Sequence, residues 1–334
     1  MAGIHAAMDD AISSGSSPRI AIVGTGALGG LYGGLLARSG EDVHFLLRSD
    51  FQHVMRHGLR VDSIDGSFVL PRVSAYDDAS SMPRCQLAVV CLKTTENSVL
   101  PRVIPKLLAP GGTVILLQNG IGEEERIAAI PGVGAVIAAL GFVCAMKNGP
   151  GHVVHLDYGS LRLAEYRAAA ERAGITPLLK AVGLRFEKAG VSVSLAEDWL
   201  EARWRKLVWN VPFNGLSVVL RSDTTQLLAH PESRKLVKDL MLEVADAAAG
   251  EGRDVSMDFI EKMIADTARM RPYLPSMRLD FDAGRPLETA SMYRAPVQRA
   301  RAVGVPAVRM TMLTEQLEFL AVGDRGVAPA TRRA

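Results

Sequence analysis

Cysteine is scarce: Cys85, Cys91 and Cys144 are the three in 334 residues, with no CxxC pair among them. Scattered thiols build neither a disulfide framework nor a cysteine zinc site. No metal is therefore expected, and the reducing cytoplasm suits the chain. An excess of charge of either sign is also missing. Lys plus Arg number 38 against 36 Asp plus Glu, for a net charge of +2. Nothing in that balance calls for a nucleic acid or an anionic membrane surface as partner. Long hydrophobic runs are absent as well. The longest, "GAVIAALGFVCAM", is too short to span a bilayer and reads as a core strand with a turn. Residues 1–17, "MAGIHAAMDDAISSGSS", lack the basic start of a signal peptide and place Asp9 and Asp10 where its apolar centre would lie. They read as a mobile extension.

What is present is enough apolar residue, 48% against 22% charged, to fill substantial cores. A chain of 334 residues corresponds to about two domains at ~100–200 residues each. From Arg19 the order is an apolar run, a glycine turn, a small-residue helix and a second apolar run, "DVHFLLR", which is a βαβ unit. Strand patterns recur at "QLAVVCLK" and "TVILLQN", with a helix predicted over "TENSVLPRVIPKLLAPGG". "GHVVHL" and "GSLRLAE" look like two more strands, and "TPLLKAVGLRFEKAG" like a helix before "VSVSLAED". Alternating strands and helices argue for a parallel sheet covered on both faces. After about Asp198 helical patterns take over, at 198–220, about 231–252, about 256–270 and about 286–303. The expected architecture is α/β, an N-terminal Rossmann-type doubly wound parallel sheet with a C-terminal all-helical domain. The spans are an extension at 1–17, the sheet domain at 18–197, the helical domain at 198–322 and a tail at 323–334.

Two local patterns carry chemistry. The turn "GTGALG" (Gly24, Thr25, Gly26, Ala27, Leu28, Gly29) follows a strand and opens a helix, the context in which G-x-G-x-x-G binds a dinucleotide. Gly24 permits the tight turn, Gly26 lets pyrophosphate approach the backbone, and Gly29 lets helix and strand pack closely. The alternative is a plain turn between packed elements. Dinucleotide sites that hold NAD place an acidic residue about 20 residues further on, for the ribose 2′-OH. Here the second strand ends "FLLRSD", with Arg48 at its tip and Asp50 slightly late. A guanidinium suits a 2′-phosphate, so NADPH/NADP+ is favoured over NADH; a solvated surface arginine is the rival. The second pattern is "WRKLVWNVPFN", in which Lys206, Asn210 and Asn214 recur every fourth residue beside an apolar face of Leu200, Trp204, Leu207, Val208 and Val211. The polar row drifts toward that face, so Asn214 should be more buried than Lys206. Unpaired burial costs roughly 1–3 kcal/mol per group. Those groups must therefore meet each other, the backbone, water or a ligand.

With "GTGALG", "CLKTTENSVL", "LLQNGIGEEERI", "WRKLVWNVPFN" and "RPLETASMYRAPVQRARAVGVPAV", the chain resembles the ketopantoate reductase (2-dehydropantoate 2-reductase) family from about Arg19 to Leu320. The resemblance implies an NADPH-binding Rossmann domain, a helical domain and a 2-keto acid substrate. It makes Lys206 the catalytic lysine that donates the proton and Glu288 the glutamate near lysine and nicotinamide. Asn210, Asn214 and Ser276 become substrate contacts. Asn119 and Lys93 line the cofactor side, Asn119 also meeting substrate, and Ala145 lies near the nicotinamide. Hydride transfer builds negative charge on a carbonyl oxygen, and a nearby cation or proton donor stabilises that charge.

The late segment departs from the family pattern Glu-x-Asp-x-x-Asn-Gly. Glu288 remains, while Ala290, Tyr293 and Arg294 replace the other three, and Thr224 stands where another substrate-side asparagine is usual. These changes point to altered contacts around the far end of the substrate. The leading expectation is reduction of ketopantoate to pantoate. The alternatives are the same chemistry on another 2-keto acid, or a non-catalytic NADP(H)-binding sensor. The expected partner is a small-molecule 2-keto acid, with a homodimer by family likeness and a cytoplasmic location.

Overall fold

In the computed structural model, which describes residues 18–326 and side chains as far as residue 321, strand β1 (Ile20–Val23) is buried along its whole length. Ile20 and Ile22 face one apolar cluster, Ala21 and Val23 another. A strand covered on both faces has no polar side, hence the unbroken apolar run. The extension expected at 1–17 and residues 327–334 of the expected tail lie outside the described residues. The described chain divides into two compact units: residues up to Asn119 together with Glu123–Ala202, and Gly120–Gly122 together with Arg203 onward.

The first unit continues through helix α1 (Ala27–Arg38), β2 (Val43–Leu46), α2 (Phe51–His57), β3 (Leu59–Ser63), β4 (Phe68–Leu70), β5 (Ser74–Tyr76) and β6 (Cys85–Val90). A 3₁₀ turn at Thr94–Val99, α3 (Leu100–Leu107), β7 (Leu108–Leu116), α4 (Glu123–Ala128), β8 (Val133–Lys147), β9 (His152–Glu165), α5 (Pro177–Lys188) and β10 (Val193–Ala196) complete it. Among the described residues the sheet order is β4-β3-β9-β8-β7-β6-β1-β2-β5, with β10 beside β9. The stretch β5-β2-β1-β6-β7-β8 is parallel throughout. Leu31, Tyr32 and Leu36 of α1 and Leu179, Val182 and Phe186 of α5 cover one face. Leu100, Ile104 and Leu107 of α3 and Ile127 of α4 cover the other. This is the doubly wound core.

Beyond β8 the sheet becomes mixed. "GAVIAALGFVCAM" contains no turn: it lies inside the 15-residue strand β8, paired antiparallel with β9. "GHVVHL" and "GSLRLAE" likewise form one strand rather than two. The intervening Tyr158 and Gly159 adopt φ of 61° and 120°, and the register shifts opposite them between Phe142 and Val143. That is a β-bulge, which absorbs a left-handed residue without ending the ladder. The buried His155 sits under it, its Nε2 lying 3.0 Å from the Tyr158 carbonyl and 3.2 Å from that of Asp157. Two acceptors at one ring nitrogen require it to carry the proton. The 3₁₀ turn likewise shortens the helix predicted over "TENSVLPRVIPKLLAPGG" to α3, and β7 begins at once after it.

Helix α6 (Trp199–Val219) runs without interruption through Pro212. The second unit adds α7 (Thr224–Ala229), α8 (Pro231–Gly250), α9 (Met257–Arg269), α10 (Ser276–Asp282), a π-helical turn at Ala290–Arg294, α11 (Ala295–Ala302) and α12 (Val308–Gly326). Helix α8 is central, packing against α7, α9, α11 and α12. From it Glu243 accepts the backbone N–H groups of Arg309 at 3.0 Å and Met310 at 2.9 Å. A side chain from a neighbour thus satisfies donors that the start of α12 cannot pair internally.

Candidate active site

The register of β1 brings three loops to one edge of the sheet. Val23 pairs with Leu46 on one side and Val90 on the other, so the glycine turn emerges between the loop carrying Arg48 and the loop carrying Lys93. Gly24 has φ of 94°, and a Cβ there would lie 2.8 Å from the backbone nitrogen of Leu92. Only glycine fits both constraints. A Cβ at Gly29 would lie 2.1 Å from the Gly24 carbonyl oxygen, whereas one at Gly26 would meet nothing within 4 Å. The turn is closed on its packed side and open above Gly26. That residue caps α1 without any side-chain hydrogen bond, so the first-turn N–H groups face a space suited to an anion. Thr25 donates from its hydroxyl to the Leu46 carbonyl at 3.4 Å, tying the turn to the end of β2.

Arg48 stands at the β2 tip, exposed, with Nη1 3.2 Å from Glu96 Oε2. Asp50 faces the other way. It is 5% exposed and accepts from Lys147 Nζ at 2.7 Å and from the Gly151 N–H at 2.9 Å. Burial alone would raise its pKa; those bonds, with one from Ser49, outweigh it and hold the carboxyl below its ordinary range. Its commitment to the β8–β9 hairpin leaves the β2 tip to Arg48. The Cys91 thiol nearby is pushed up to about 12 by burial, so no thiolate lies beside the turn at neutral pH.

Lys93 is exposed and Asn119 half-buried. Residues that sequence reading passed over hold their two loops. Gln118 Nε2 donates to the Leu92 carbonyl and to Asn97 Oδ1, both at 2.7 Å, and Asn97 Nδ2 donates back to Gln118 Oε1 at 3.1 Å and to Glu123 Oε2 at 2.7 Å. Both amides are buried. The position of Asn97 inside "CLKTTENSVL" was the available signal, hidden because a 3₁₀ turn has no apolar period to show which side faces inward. Ala145, on β8, packs against the apolar cluster.

In the helical unit Asn210 and Asn214 are each 2% exposed and Lys206 is half-buried, the gradient the helical spacing implies. Asn214 Nδ2 donates to Asn210 Oδ1 at 3.5 Å. Its own Oδ1 accepts the Met277 N–H at 3.1 Å and the Ser276 hydroxyl at 3.5 Å. The structure therefore brings Asn210, Asn214 and Ser276 into one chain of hydrogen bonds linking α6 to the start of α10. Glu288 is buried just before the π-helical turn, its carbonyl accepting the Met292 N–H. Within that turn Ser291 accepts the Ile121 N–H at 3.1 Å. Gly120, at φ of 90°, comes so close that a Cβ would lie 2.5 Å from the Ser291 Cβ. The "QNG" strand end is thus more than a free turn.

Tyr293 is 1% exposed and donates its hydroxyl to the α6 backbone, at 3.1 Å to Val211 and 3.4 Å to Asn210. Arg294 is exposed and pairs with Glu318 at 2.6 Å, and Ala290 is exposed. Thr224 is fully buried at the start of α7. Tyr293 therefore braces the helix that carries the asparagines. A side chain's own sequence neighbours do not reveal which helix its hydroxyl will reach.

The sequence profile described as Ketopantoate reductase PanE/ApbA matches residues 20–168, and the profile of its C-terminal part matches residues 198–321. The chain belongs to the ketopantoate reductase family. It is similar to the 2-dehydropantoate 2-reductase of Nostoc sp., 46% identical over 302 residues that cover 90% of this chain and 95% of that one. Among solved structures it resembles the 2-dehydropantoate 2-reductase of Geobacter metallireducens, with a TM-score of 0.85 at 40% identity, covering 90% of this chain and 99% of the other. The enzyme of the same name from Methylococcus capsulatus gives 0.84 at 32% identity, covering 92% and 98%. The mixed sheet followed by a helical unit is the fold of this family.

Proposed function

We propose that the chain catalyses the NADPH-dependent reduction of a 2-keto acid, ketopantoate, to its 2-hydroxy acid, pantoate. The observation that carries the reading is the polar row on α6, in which Lys206 precedes the buried Asn210 and Asn214, hydrogen-bonded to each other and on to the half-buried Ser276 of α10. A packing surface does not need such a row, while a keto acid needs donors of this kind.

The residues fit the cofactor: the turn is open above Gly26 and closed at Gly24 and Gly29. Gly24–Gly29 would hold the pyrophosphate and Arg48 the 2′-phosphate, with Lys93, Asn119 and Ala145 lining the remainder and Glu288 the nicotinamide end. When bound, NADPH supplies the hydride. Lys206 donates a proton from Nζ to the carbonyl oxygen, where negative charge grows, so its contribution is larger in the transition state than in the ground state. Glu288 keeps the lysine's charge balanced. Asn119, Asn210, Asn214 and Ser276 orient the carboxylate and carbonyl as neutral donors.

The proposal extends to a cofactor domain of residues 18–197, a helical domain of 198–322, a homodimer and a cytoplasmic location. Among the described residues no helix is long and apolar enough to cross a membrane, and the three cysteines are free. The experiment is NADPH oxidation, followed at the nicotinamide absorbance, with ketopantoate beside a panel of bulkier and smaller 2-keto acids. Preferred turnover of ketopantoate is expected. Turnover confined to another keto acid overturns the substrate assignment, and none at all, with NADPH bound, overturns catalysis.

A further inference from the structure

The proposed function makes no use of Glu96, although its carboxylate meets the one guanidinium assigned to the 2′-phosphate. Arg48 follows β2 and Glu96 follows β6, on either side of the glycine turn, and their side chains meet at 3.2 Å. The Arg48 side chain is 88% exposed and that of Glu96 42%. An ion pair this exposed adds little to stability. Its backbone, however, is held. The Glu96 N–H donates to the Lys93 carbonyl at 2.9 Å, and the next residue, Asn97, is locked by the Gln118 amide and Glu123. The carboxylate is therefore a standing neighbour of Arg48 rather than a passing one.

We propose that Glu96 sets the preference between phosphorylated and unphosphorylated dinucleotides by competing for Arg48. The inference rests on the reading of the glycine turn and Arg48 as an NADPH site. A 2′-phosphate approaching the guanidinium meets a fixed charge of its own sign. Two unit charges about 6 Å apart in water-like surroundings, doubled for a phosphate dianion, change a binding constant by about tenfold. The same carboxylate is an acceptor for a ribose 2′-OH, the part an acidic residue plays toward the unphosphorylated cofactor. Asp50 cannot take that part, because Lys147 and Gly151 hold it. Glu96 thus acts with opposite sign on the two cofactors.

The test is calorimetric binding of NADPH and NADH to the full chain and to Glu96→Gln, Glu96→Ala and Arg48→Ala. Both Glu96 variants should bind NADPH about tenfold tighter at low salt and NADH severalfold weaker, the first effect shrinking as salt screens it. Arg48→Ala should weaken NADPH alone. Unchanged NADPH/NADH ratios in the Glu96 variants, or equal shifts for both cofactors, overturn the role of Glu96. If Arg48→Ala weakens both cofactors equally, so that discrimination persists, Arg48 is not the group Glu96 competes for and this inference falls while the NADPH site stands. If Arg48→Ala leaves both affinities unchanged, the 2′-phosphate reading falls, and this inference with it.

Discussion

Replacing Asp50 by Asn keeps the shape of the side chain and removes its charge. The carboxylate accepts three hydrogen bonds, from Lys147 Nζ at 2.7 Å, the Gly151 N–H at 2.9 Å and Ser49 Oγ at 3.0 Å. A bond to a charged group contributes about 1.5–3 kcal/mol against about 0.5–1.5 for a neutral one. Lys147 is 36% exposed and can be rehydrated, which discounts its share, so Asp50→Asn should cost about 2 kcal/mol at pH 7. The folded-state pKa lies below the ordinary carboxylate value, and the unfolded chain therefore binds more protons in between. Stability from Asp50 is then fully present above a pH of about 4 and is lost as pH falls through the folded pKa. Urea unfolding followed by far-ultraviolet circular dichroism should show a gap between wild type and variant at pH 7 that narrows by pH 3. Affinity for NADPH and NADH should not change. A gap independent of pH refutes the electrostatic account, and a loss of NADH affinity refutes the assignment of Asp50 to the hairpin instead of the ribose.

Lys206→Ala should lower kcat by about 10²–10⁴-fold, the usual share of a general acid, while the calorimetric Kd for NADPH stays the same; unchanged turnover removes the proton-donor role. Gly29→Ala should abolish NADPH binding in the same titration, because its Cβ would lie 2.1 Å from the Gly24 carbonyl oxygen; full affinity would mean that the turn opens without cost. Tyr293→Phe should destabilise the chain by about 1 kcal/mol through the lost buried hydrogen bond and raise KM for the keto acid more than it lowers kcat, since the hydroxyl braces the α6 backbone beside Asn210. A KM equal to wild type would reduce Tyr293 to packing.

Local pattern made much of this legible. The glycine turn, the apolar strands around it, Arg48 at the second strand's tip and the fourfold row on α6 depend on periods of two and 3.6 and on glycine's lack of a Cβ. Those are properties of contiguous residues, so the amino-acid order alone determined the doubly wound core, the helical second half and the candidate donors Lys206, Asn210 and Asn214. Resemblance to the family, and not local pattern, singled out "QNG" and Glu288. The partners of these groups lay beyond both. The β8–β9 hairpin, the bulge at Tyr158, Asp50 with Lys147, Asn97 with Gln118, Tyr293 on the α6 backbone and Glu96 against Arg48 each join residues distant in the chain or hidden in irregular backbone. Such pairings follow from sheet register and side-chain direction, which exist only once the chain has folded; for that reason tertiary structure decided which polar residues are committed to the scaffold.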